Sequence, residues 1–169
     1  MSSTLPLGRG EQLRQESASL SRCCLRSLGE RGGGHDENCA LFCGALRVEV
    51  SGEPDAVVAC HCGECQRRIG SVFGVGAYFK KEHVQTEGPY NTHVRDAPEG
   101  RKVRNHFCPT CGTTVFWEAD LRPDNIGVAV GTFGDSRFPR PARSVWEESK
   151  REWVAFAHDL THLPRGRPS

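Results

Sequence analysis

Val103-Arg104-Asn105-His106-Phe107-Cys108-Pro109-Thr110-Cys111-Gly112-Thr113-Thr114-Val115-Phe116-Trp117-Glu118 sets the architecture of this chain. Its β-branched and aromatic residues read as two strands, over 103–107 and 114–118. Between them, Cys-Pro-x-Cys-Gly reads as a knuckle: a tight turn that points backbone amides at two sulfurs and stabilises their negative charge. Cys108-x-x-Cys111 is half of a four-ligand metal site.

The same strand texture extends in both directions. In 45–50, Leu46, Val48 and Val50 face one way while Arg47 and Glu49 face the other. Ser51-Gly52-Glu53-Pro54 is a turn. Ala56 to Cys60 reads as a buried strand running into Cys60-His61-Cys62-Gly63-Glu64-Cys65. A helical turn through Gln66-Arg67-Arg68 closes at Gly70, and 72–79 is another strand. Segments 83–86 and 90–94 are expected to pair around Gly88-Pro89, and 96–100 is a loop. Segments 126–130 and 143–146 complete a mainly β domain, with 148–155 as a short helix or a last edge strand. No internal repeat stands out beyond the cysteine clusters.

Composition narrows the function. The chain has 169 residues, 37% of them hydrophobic, with 19 glycines and a net charge of +1. One domain with a thin core is expected, and metal sites can staple such a core. The near-zero charge gives no pull toward nucleic acid or anionic membrane. No apolar run is long enough to cross a bilayer and no hydrophobic signal segment opens the chain, so a reducing, cytoplasmic setting is expected. Of the nine cysteines, all but Cys23 and Cys24 fall into tight clusters. That spacing favours metal over disulfides. Cys23 and Cys24 read as free thiols in a tail over 1–38. This tail lacks clean periodicity, contains Arg31-Gly32-Gly33-Gly34 and reads as poorly ordered. The expected division is a tail over 1–38, a metal-binding domain over 39–157 and a C-terminal tail over 158–169.

Cys60 and Cys62 are two residues apart, so both point to one side of an extended segment and His61 to the other. His61 is therefore a packed or hydrogen-bonded histidine rather than a ligand. Cys65 can return to the same side after Gly63-Glu64, so three thiolates can converge with one coordination position free. Three thiolates leave a zinc less electrophilic than three histidines do, so hydrolysis is not the natural chemistry. A soft thiol is a good fourth ligand, and zinc would hold it as the nucleophilic thiolate. Arg67 and Arg68 could attract an anionic thiol, or be ordinary solvated charges. For the Cys108–Cys111 half-site, Cys43 before Gly44 is a strong third ligand and Cys39 the only evident fourth. Trp117, Trp146 and Trp153 read as packing groups, and Phe73 as cleft wall or core. No catalytic role is assigned to His93 or His106.

Taken together, Cys43-Gly44-Ala45-Leu46-Arg47, Cys60-His61-Cys62-Gly63-Glu64-Cys65-Gln66-Arg67, Gly70-Ser71-Val72-Phe73-Gly74 and Phe107-Cys108-Pro109-Thr110-Cys111-Gly112-Thr113 resemble a known family. It is that of the glutathione-dependent formaldehyde-activating enzymes, which includes centromere protein V. Ile126 to Gly131 and Ser144-Val145-Trp146-Glu147 resemble its bacterial members. The resemblance implies a β-tent of antiparallel sheets stapled by zinc. It implies a structural zinc on Cys43, Cys108 and Cys111, and a catalytic zinc on Cys60, Cys62 and Cys65. It also implies a carbon–sulfur lyase activity that reversibly forms S-hydroxymethyl glutathione from formaldehyde and glutathione. The small-molecule partner would be a thiol such as glutathione. One departure is plain: the family opens with Cys-x-Cys-Gly, and here Leu41 stands two before Cys43. Cys39 lies four before, about 13 Å away in an extended strand. Three arrangements then stay open: a distorted site, one that uses Cys39 through a loop at 40–42, or one with three ligands. Two other functions compete: a non-catalytic zinc module that binds a partner protein, and a thiol sensor whose triad oxidises and releases metal.

Overall fold

The computed structural model describes residues 36–41 and 43–166, and for 36–40 the strand path alone. Eleven strands and one α-helix follow in order: β1 (Asp36–Ala40), β2 (Arg47–Ser51), β3 (Ala56–Cys60), α1 (Gly63–Ile69), β4 (Gly74–Lys80) and β5 (Val84–Glu87). Then come β6 (Asn91–Asp96), β7 (Lys102–Phe107), β8 (Thr114–Ala119), β9 (Asn125–Ala129), β10 (Arg143–Val145) and β11 (Thr161–His162). The described residues are thus mainly β. They form a three-stranded sheet, β1-β2-β5, and an eight-stranded sheet, β11-β10-β3-β4-β9-β8-β7-β6.

The core lies where the small sheet covers one face of the large one. Leu46, Val48 and Val50, around and within β2, pack with Val57 of β3, Ala77 and Phe79 of β4, Phe116 of β8, and Ile126 and Val128 of β9. Alternation fixes this, because a strand buries every second side chain on one face. The register agrees: Ala77 pairs with Val128 and Phe79 with Ile126, while Val128 pairs with Phe116 on its other side. The other face of the same strands carries Cys60, Gly74, Gly76, Tyr78, Gly127 and Trp117.

Four expectations give way here. Segments 83–86 and 90–94 do not form a hairpin. β5 pairs with β2, and β6 pairs with β7 in the other sheet. Gly88 makes the crossing between sheets. Its φ is +100°, and a Cβ there would collide with the Ala45 carbonyl, so only glycine passes. The large sheet is not wholly antiparallel, because β10 runs parallel to β3 and β11 parallel to β10. The long connection from β9 to β10 allows this, since parallel neighbours need a crossover rather than a tight turn. Finally, 148–155 forms neither the short helix nor the edge strand. Trp146 takes a left-handed backbone (φ +59°) and a single 3-10 turn follows at 147–149. Trp153 beyond it is 70% exposed and does not pack in the core. Among the described residues, no helix is long and apolar enough to cross a membrane.

Candidate metal centres

Cys60 ends β3, and Cys62 and Cys65 flank the start of α1. The seven-residue helix begins because Cys62 acts as its N-cap, its Sγ accepting from the Cys65 amide at 3.4 Å. The helix closes at Gly70, whose amide donates to the Gln66 carbonyl. This tight start folds the chain back so that the sulfurs of Cys60, Cys62 and Cys65 all lie within 4.8 Å of one another. Among the described residues, no fourth cysteine, histidine or carboxylate joins them. Three thiols this close cannot all ionise alone. Sharing protons with Cys60 and Cys65 holds the Cys62 thiol far below its usual range. The same sharing with Cys62 and Cys65, and then burial, pushes Cys60 far up. A bound divalent ion would reverse this balance by neutralising all three thiolates.

His61 holds the triad from behind. It is fully buried. Its amide donates to the Val145 carbonyl at 3.0 Å, and its Nε2 sits 3.1 Å from Ser144 Oγ. The Ser144 hydroxyl donates to Glu147, so the imidazole Nε2–H donates to Ser144. Glu147 Oε1 also meets His162 Nδ1 at 2.8 Å and Lys150 Nζ at 3.5 Å. Burial pushes the Glu147 carboxyl up, but Ser144, His162 and Lys150 outweigh it and hold it below the usual value. Burial pushes His61 down, with Glu147 opposing in part. Gln66 Nε2 ties the end of the motif by donating to the His61 carbonyl at 2.6 Å and to that of Ser149 at 3.1 Å. Phe73 and Phe156 close over the imidazole, with centroids at 5.3 and 6.1 Å. His61 is thus a packed, hydrogen-bonded residue, as its alternation with Cys60 and Cys62 requires. Ser144 and Glu147 are not legible as its partners, because nothing local in the sequence links positions so far apart.

The second group joins the turn before β2 to the β7–β8 knuckle. Cys43 Sγ lies 3.5 Å from Cys108 Sγ and 3.4 Å from Cys111 Sγ. Sulfurs on a tetrahedral zinc, each about 2.3 Å from the ion, stand about 3.8 Å apart, so the donor set fits that ion. The knuckle has the expected form: the Thr110 amide donates to Cys108 Sγ at 3.4 Å, and the Gly112 amide to the Cys108 carbonyl at 2.9 Å. The hydroxyl and amide of Thr113 pull the Cys111 thiol down to about 7. Cys108 is fully buried and Cys111 exposed. Leu41, in the position where the family pattern has a cysteine, is packed into the core and supplies no ligand. The expectation that Cys39 completes the group concerns a side chain outside the described residues, as do those for Cys23 and Cys24. Both cysteine groups therefore have the chemistry and spacing to hold a metal ion.

A family model for the glutathione-dependent formaldehyde-activating enzymes matches residues 36–149. The chain belongs to this family. The match takes in both cysteine groups, the helix between β3 and β4, and the Ser144–Glu147 pair behind His61. Among solved structures, the chain is similar to a Rhodobacter sphaeroides protein, with 25% identity over 56% of this chain and 85% of that one and a TM-score of 0.44. A comparison with curated proteins finds no match.

Proposed function

We propose that this protein is a zinc-dependent carbon–sulfur lyase acting on the thiol adduct of a small aldehyde, of the S-hydroxymethyl glutathione type. Cys60, Cys62 and Cys65 hold the catalytic ion, and Cys43, Cys108 and Cys111 a structural one. What supports this reading most is the convergence of three half-buried thiols with no fourth protein ligand among the described residues, in a chain of this family. A bound zinc would supply a soft Lewis-acid centre that keeps an incoming thiol ionised at neutral pH. The chain's own residues do the positioning. His61, Ser144 and Glu147 fix the Cys60–Cys62 segment, and Gln66 fixes the helix start. In the forming direction, a sulfur lone pair makes the C–S bond to the aldehyde carbon. The carbonyl π pair moves to oxygen, which takes the proton the thiol gave up. The lyase direction is the reverse.

The test is metal analysis of the wild type beside Cys62→Ser, with glutathione titrated into each and formaldehyde consumption followed by NMR. About two zinc ions per chain are expected in the wild type and about one in the variant. Thiol binding and formaldehyde consumption should occur only with the triad intact. A full metal complement in Cys62→Ser, or unchanged glutathione binding, would overturn the assignment.

A further inference from the structure

We propose that the ring-and-guanidinium strip beside the triad, formed by Arg68, Trp117, Tyr78 and Arg122, is a subsite for the carboxylates of the thiol substrate. It would select anionic thiols over neutral ones. This rests on the reading of the triad as a thiol-binding centre.

The register puts the strip and the triad on one face of the large sheet. Cys60 pairs with Gly74. Along β4, Gly74, Gly76 and Tyr78 share that face. Gly127 stands between Tyr78 on one side and Trp117 on the other. Glycine at 76 and 127 is what lets the indole lie flat. A Cβ at Gly76 would come within 2.6 Å of the Trp117 ring, and one at Gly127 would overlap it too. Trp117 thus covers a glycine floor on the face turned away from the core, and meets Tyr78 edge-on at 6.0 Å.

Each ring carries a cation. The Arg68 guanidinium carbon lies 4.3 Å over Trp117 and that of Arg122 4.5 Å over Tyr78. Neither arginine has a carboxylate partner among the described residues, and Arg68 Nη1 is buried with no hydrogen-bond partner. Arg67, one position earlier, is exposed and paired with Glu64. Leaving a partly buried guanidinium without an acceptor is costly, and a substrate carboxylate on the edge of the fork that is not buried would offset part of that cost. Arg68 also borders the triad: its Nη2 and the Cβ of Cys65 both lie within 4 Å of the point a Gly74 Cβ would occupy. Stacking holds the guanidinium planes in place, so little freedom is lost when a carboxylate docks on their edges. A thiol that reaches the Cys60–Cys65 centre while its carboxylates lie along the strip matches this layout. A neutral thiol gains nothing from it.

The discriminating experiment is isothermal titration of the zinc-loaded wild type, Arg68→Gln, Arg68→Lys and Arg122→Gln with glutathione and, separately, 2-mercaptoethanol, with zinc content measured for each protein. Arg68→Gln should weaken glutathione about tenfold or more, with 2-mercaptoethanol affinity and zinc content unchanged. Arg68→Lys should recover part of the loss, because it restores charge without the planar fork. Arg122→Gln should weaken glutathione severalfold. Wild-type glutathione affinity in Arg68→Gln overturns the subsite. A parallel loss of both thiols and of zinc overturns it too, since Arg68 would then be supporting the triad. If the wild type binds neither thiol, the thiol-binding reading itself falls, and this inference with it.

Discussion

The two cysteine groups present the same three donors, but they connect very different lengths of chain. Cys60, Cys62 and Cys65 lie within one strand–helix corner, so an ion there closes only a few residues. Cys43 reaches across 65 residues to Cys108 and 68 to Cys111, so an ion there ties the turn before β2 to the β7–β8 knuckle. Loop-closure entropy makes the longer cross-link worth more to folding. The surroundings differ in the same sense. Cys108 is fully buried and belongs to the core cluster, whereas the triad sits at the sheet end beside ring and guanidinium groups that the core does not need. On the proposed function, the same three donors serve stability at one place and reaction at the other.

The largest effect should come from breaking that division directly. Cys108→Ser should abolish cooperative urea unfolding at 25 °C, because structural zinc contributes on the order of 10 kcal/mol in small domains. Cys60→Ser should keep a cooperative transition while thiol binding disappears. If Cys60→Ser unfolds and Cys108→Ser does not, the roles are reversed. A smaller effect should follow from loosening the clamp behind the triad. Ser144→Ala leaves the buried His61 Nε2–H without its acceptor, at a cost of about 1–3 kcal/mol in urea unfolding. It should also lower zinc retention against a chelator at the Cys60 group and not at the Cys43 group. Equal loss from both would show that His61 acts only through global stability. Gly127→Ala probes the opposite side of the triad face. It should cost about 1–3 kcal/mol through collision with the Trp117 indole, and weaken glutathione binding by tilting the ring that carries Arg68.

Much of this contrast is legible in the amino-acid sequence alone. The strand around Val48 follows from alternation, those around Val57, Asn105, Phe116 and Val128 from their runs of β-branched and aromatic residues, and the close of the short helix from Gly70; its N-cap at Cys62 shows only in the structure. The triad and the Cys108–Cys111 pair follow from spacing, and Cys43 joins that pair as the expected third donor. What fails has a common physical cause. Val84 to Val94 reads as a hairpin because local turn chemistry at Gly88-Pro89 permits one. The partners lie elsewhere: β5 joins β2, more than thirty residues earlier, while β6 folds back on β7, the next strand along the chain. Trp117 reads as core because it is large and apolar. It is indeed buried, but on the other face, and only the glycines opposite it at 76 and 127 show why. For Arg68 the sequence leaves open an anion-attracting role or an ordinary solvated charge, because neither its stacking on Trp117 nor its missing acceptor leaves a local trace. Ser144 and Glu147 are ordinary residues until β10 lies parallel beside β3. Single positions with chemistry of their own are readable. Roles conferred by register across the sheet are not.

The smallest predicted effect tests whether the two groups also differ in what buries their neighbouring histidines. Burial holds both His61, behind the triad, and His106, beside the knuckle, below the ordinary imidazole value. In each case the native state stays neutral at a pH where the unfolded chain, titrating near 6.5, has begun to bind a proton. The unfolded state then binds more protons, so stability falls as pH drops below about 6.5 and levels off below each native value. The slope from each histidine is at most about 1.4 kcal/mol per pH unit. His106 stacks on Phe116 at 4.4 Å with its Nδ1 2.9 Å from Thr92 Oγ1, so His106→Gln removes the titration and leaves a polar group. Urea midpoints between pH 7.5 and 5.5, taken at matched zinc content, should show that variant losing stability less steeply on acidification than the wild type. An unchanged slope would mean that His106 is protonated in the native state and that the knuckle end of the sheet is wetter than its packing indicates.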